Sequence, residues 1–67
     1  MEFSERLKFA RKKLMMSQEE MARELGVTFA TLNRWENKKN EPSYEAQRKF
    51  AELCKKHEIS FGGEANG

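Results

Sequence analysis

Ser17 and Glu20 stand three residues apart at the head of SQEEMAREL, and that spacing constrains the chain more tightly than any other feature. The serine hydroxyl accepts the amide of Glu20 while the glutamate reaches back to the amide of Ser17, a capping box that starts a helix at about Gln18. Met21, Ala22 and Leu25 then share one face, and Glu19, Glu20, Arg23 and Glu24 are left to water. Gly26 stops this helix, because a left-handed backbone is cheap only for glycine. Thr28 can cap a second helix immediately afterwards. Two short helices joined by a tight turn are therefore expected between Ser17 and Asn37.

On the second helix Leu32, Trp35 and Glu36 fall along one arc, with Thr31 at its edge, while Phe29, Ala30, Asn33, Arg34 and Asn37 fall along the opposite arc. The first arc suits a core. The second combines an aromatic, two amides and an arginine, the groups that base edges in a major groove ask for. On an isolated helix this pattern reads first as an ordinary solvated face. What changes the reading is coincidence: small Ala22 where two helices must approach closely, Gly26 four residues later and Leu32 six after that.

This spacing, with SQEE before it and RWEN after it, resembles the helix-turn-helix of the phage-repressor family (lambda repressor and Cro-like, XRE type), from about Leu7 to His57. The resemblance implies an all-α fold, a small bundle of four short helices, or five where relatives add one sometimes used for dimer contact. It also implies double-stranded DNA as partner, with the second helix of the pair (about 28–37) in the major groove. Carried over by position, Thr28, Phe29, Ala30, Asn33 and Arg34 become the residues facing bases, and Gln18, Asn37, Lys38, Lys39 and Asn40 the residues on phosphates. Arg34 would take two guanine acceptors at once, and Phe29 or Ala30 would pack on a thymine methyl. Glu36 is implied to pair with Arg11 of the first helix, a structural ion pair. Relatives place glycine where Lys38 stands; a left-handed lysine costs roughly 1 kcal/mol, so either Asn37 takes that conformation or the loop differs.

At 67 residues the chain is one small domain with a single core. A single cysteine excludes an internal disulfide, and Cys54 with His57 falls short of the four ligands of a structural zinc site. No metal and no cofactor are expected. Cys54 reads as a small core residue and His57 as a residue at a helix end. The lone thiol, with no secretory signal or long apolar run, fits the cytoplasm and argues against a membrane. The net charge of +2 is only mildly basic, so distribution matters more: Arg11, Lys12 and Lys13 cluster near one helix end, and Lys38 and Lys39 follow the reading helix.

Taken in order, Ser4 is the expected cap of a first helix running to about Leu14, with Phe3, Leu7, Ala10, Arg11 and Leu14 as its stripe. Phe9 falls off that stripe. It reads as a surface aromatic, as a residue under the C-terminal segment, or as a contact with another subunit. Met15 and Met16 form a tight link, and Met16 sits where relatives carry a core leucine. Pro42 and Ser43 mark a fresh start. The last helix is expected from Tyr44 to His57, with Ala46, Phe50, Leu53 and Cys54 as its stripe, and Ile59 and Phe61 as anchors beyond it. The domain is thus expected over 1–61, with 62–67 a flexible tail.

The reading best supported is a sequence-specific DNA-binding module, a transcriptional regulator acting without catalysis, with a homodimer on a near-palindromic site as the family expectation. Two others stay open. One is a protein-interaction role, as in an antitoxin or adaptor, through Phe9 or the Phe29 face. The other is a targeting domain of a larger DNA-modifying enzyme. The chain itself has no glycine-rich phosphate loop, no nucleophile with a base and no ligand cluster, so no catalytic residue and no small-molecule substrate are expected.

Overall fold

The computed structural model describes residues 1–61, and among these it contains four helices: α1 (Phe3–Lys13), α2 (Gln18–Leu25), α3 (Phe29–Glu36) and α4 (Tyr44–Lys56). The expected tail at 62–67 lies outside the described residues. α3 is the inner element. It packs against both α2 and α1, and α2 rests in turn on α4. Leu7, Met21, Leu25 and Leu32 are completely or almost completely shut away from solvent at the centre. Burial of such a side chain contributes about 1.5–3 kcal/mol each. Ala22 is buried beside them, where a larger side chain would hold the helices apart.

The capping box at Ser17 and Glu20 is present, with Ser17 Oγ accepting from the Glu20 amide at 3.0 Å and Glu20 Oε1 accepting from the Ser17 amide at 2.8 Å. Thr28 and Ser43 cap α3 and α4 in the same sense. α1 differs from expectation. Its cap is Glu2, in a box with Glu5, and Ser4 lies inside the helix with its hydroxyl buried. Packing explains the shift. Phe3 must already be helical to set its ring edge-on to Trp35 at 5.9 Å and to Phe50 at 5.3 Å.

All four helices end the same way. Near each end one amide reaches back five residues: Met16 to Arg11, Val27 to Ala22, Lys39 to Arg34 and Ile59 to Cys54, each at 2.9 Å. This closure needs a left-handed residue at the joint. Gly26 supplies it after α2 with φ +71°, but Met15, Lys38 and Glu58 supply it elsewhere, with φ of +57°, +62° and +56°. Neither expectation for the loop after α3 holds, because Lys38 itself takes the left-handed conformation and Asn37 stays at φ −97°. The two closing hydrogen bonds fix which residue must turn, whatever its type. α4 likewise stops at Lys56, and exposed His57 is its cap.

Beyond α4, Ile59 is buried and Phe61 half-buried against the core. Phe61 stacks at 5.6 Å on Phe9 and at 6.2 Å on Phe50, so Phe9 sits under the C-terminal segment. Rings thus run in contact from Trp35 through Phe3, Phe50 and Phe61 to Phe9. Met16 packs on the core and Met15 points to solvent. Cys54 is buried and free, its thiol pushed above the ordinary value by burial, with Arg6 acting the other way. Among the described residues no helix is long and apolar enough to cross a membrane.

Candidate nucleic-acid interface

α3 divides as its sequence divides. Leu32, Trp35 and Glu36 are buried, while Thr28, Phe29, Ala30, Arg34 and Asn37 are exposed. Phe29 leaves half its surface in water. Thr28 is committed locally, its hydroxyl accepting from the Thr31 amide at 3.1 Å. Asn33 is half-buried rather than fully outward, and its amide is held from two sides. Its Nδ2 donates to Gln18 Oε1 at 3.4 Å, and its Oδ1 accepts from Asn37 Nδ2 at 3.1 Å.

Glu36 lies beneath this surface and organises it. Arg11 grips both carboxylate oxygens, Nε to Oε2 at 2.7 Å and Nη2 to Oε1 at 3.1 Å, and its Nη1 donates to the Met16 carbonyl at 3.2 Å. Gln18 Nε2 adds a bond to Glu36 Oε1 at 3.0 Å. A carboxylate that is 3% exposed would be costly alone; here both oxygens are occupied by charge-assisted or amide donors. The consequence for the surface is geometric. The first residue of α2 is tied to the last of α3, and through Gln18 the order passes on to Asn33 and Asn37.

Lys38, Lys39 and Asn40 line one shallow depression together with Glu2 and Trp35. Lys38 Nζ is 3.1 Å from Glu2 Oε1, both side chains being largely exposed. Gln18 is set apart from these residues, at the head of α2 beside Asn33. The residues expected on bases and on phosphates therefore occupy α3, the head of α2 and the loop after α3. A helix-turn-helix family profile matches residues 7–59 of the chain.

The chain belongs to the Cro/C1-type helix-turn-helix family. It matches no curated protein and no solved structure. The family is one of DNA-binding regulatory domains, and α2 and α3 are its helix pair in this protein. Two features of this helix-turn-helix have no counterpart in the sequence reading. The Gln18 to Glu36 bond joins residues with no sequence spacing to announce it. Glu2, which caps α1 and meets Lys38, had a signal in the three-residue interval to Glu5, outranked by the better capping residue Ser4.

Proposed function

We propose that this helix-turn-helix protein binds double-stranded DNA sequence-specifically as a transcriptional regulator in the cytoplasm, by a non-catalytic mechanism. The observation that carries the reading is the outward side of α3, where exposed Phe29, Ala30 and Arg34 flank an Asn33 amide already held in place. With one Nδ2 hydrogen and one Oδ1 lone pair engaged, Asn33 keeps one donor and one acceptor, the pair that adenine requires in the major groove. Arg34 suits guanine, and Phe29 a thymine methyl. Gln18, Asn37, Lys38, Lys39 and Asn40 contact phosphates and set the register, while bases select the sequence. One such domain buries little DNA surface, so two copies on a near-palindromic site supply useful affinity.

Selection of bound duplexes from a random pool at two salt concentrations tests this directly. A consensus half-site should emerge. Arg34→Ala should cost about 1–3 kcal/mol on that site and relax preference at one position, whereas Lys39→Ala should weaken all duplexes and lower the salt slope by roughly one unit. Absence of any salt-sensitive shift on any duplex would end the DNA reading.

A further inference from the structure

The face formed by α1, α4 and the segment after α4 carries an open apolar groove of about 710 Å³. Half-buried Phe3 and Phe61 and exposed Ala51 contribute its open apolar surface over a floor of buried Phe50, Cys54 and Ile59, and Arg6 and Lys55 line it as well. No residue of α3 lines it, so it is separate from the proposed DNA surface. Two observations set this groove apart from ordinary surface. Among the described residues, every charged residue lining it is a cation. In addition, Arg6 Nε is buried, and among the described residues nothing accepts its hydrogen. An orphaned donor on a charged group is a standing cost, which a carboxylate drawn to the guanidinium removes once the side chain turns to meet it.

We propose that this groove docks an acidic amphipathic segment of another protein, whose apolar side chains cover Phe3 and Phe61 while a carboxylate accepts from the Arg6 guanidinium. Charge complementarity selects this occupant over the alternatives. Two copies of the chain meeting through the same groove would gather Arg6 and Lys55 of both in one interface, like charges around a desolvated centre. Residues 62–67, GGEANG, offer one acid but only Ala65 as apolar cover, too little for two phenyl rings. The inference does not depend on DNA binding, since the two faces share no α3 residue.

The test uses the 67-residue chain and a fluorescent peptide of about 14 residues, leucines at helical spacing flanked by glutamates, with glutamine and lysine counterparts. The glutamate peptide should bind about tenfold or more tightly than the glutamine peptide, and the lysine peptide should not bind. Amide shifts should gather at Ala51, Cys54 and Phe61. Arg6→Gln should erase the glutamate preference. Ala51→Glu, a change at an exposed groove position that leaves the core intact, should weaken the glutamate peptide about tenfold. Equal binding of all three peptides, no binding, shifts centred on α3, or a concentration-dependent dimer that the peptide displaces would each overturn the proposal.

Discussion

The unit from Ser17 to Glu36 and the pair of helices that supports it, α1 and α4, treat their polar groups and turns differently. Within the first, Ser17 and Thr28 cap with hydroxyls, Gly26 makes the left-handed joint, and buried Glu36 has both oxygens occupied. In the second only Ser43 is as well suited to its place. α1 starts on a glutamate, Met15 and Glu58 are held left-handed, and Ser4 Oγ and Arg6 Nε are buried without partners among the described residues. The contrast teaches where geometry is demanding. Between α2 and α3 the chain has only Gly26, Val27 and Thr28 in which to turn, and the turn must also bring Gln18 within reach of Glu36. Around α1 and α4 the requirement is to seat a row of rings, and local imperfections are tolerated.

The contrast predicts opposite signs for substitutions in the two regions. The largest effect should come from Glu36→Ala, which strands Arg11 and removes the acceptor of Gln18; urea denaturation should show a loss of about 3 kcal/mol or more. A loss under about 1 kcal/mol would mean that this network does not organise the unit. Next, Gly26→Ala should destabilise by roughly 1–2 kcal/mol. Space is available there, since an added Cβ would lie 3.4 Å from the flexible end of Lys49, so the cost is that of the φ of +71°. Met15→Gly should do the reverse, raising stability by about 1 kcal/mol or slightly less once glycine's extra chain entropy is subtracted. If both changes destabilise, the two joints are equivalent and the comparison breaks.

Smaller effects sharpen it. Ser4→Ala deletes an unsatisfied hydroxyl and improves helix propensity, so the thermal midpoint should rise by a few degrees, equivalent to about 0.5–1 kcal/mol. Glu2→Gln keeps a side-chain acceptor for the α1 cap but releases Lys38 from its ion pair. Exposed pairs contribute little, so the expected gain is roughly twofold in duplex affinity at low salt, vanishing as salt rises. Unchanged affinity at low salt would show that phosphate competes with nothing at Lys38.

How much of this was legible in the sequence follows from the same division. The α2–α3 unit is written in signals that act within a few residues: Ser17 with Glu20, Gly26, Thr28, and the arcs of α3. Those signals are local backbone chemistry, and here the packing agrees with them. The start of α1 was decided by Phe3 needing to reach Trp35 and Phe50, a long-range demand that displaced Ser4 from the capping role suggested by its type. Lys38 runs against propensity, which disfavours lysine there, because two hydrogen bonds require a left-handed residue at that position. The expectation that Arg11 faces Glu36 came through family resemblance, not through spacing. The bonds from Gln18 to Glu36 and to Asn33 join amides across two helices, and no periodicity encodes them.

Those bonds also sort the outer residues of α3 into two kinds. Phe29, Ala30 and Arg34 stand exposed, so exchanging them retargets the surface and leaves the scaffold beneath as it was. Asn33 shares its amide with Gln18 and Asn37, and altering it disturbs neighbours on two helices. Redesign of this surface should therefore vary three positions freely and hold the fourth fixed, much as a key blank is cut along its teeth and never through its stem.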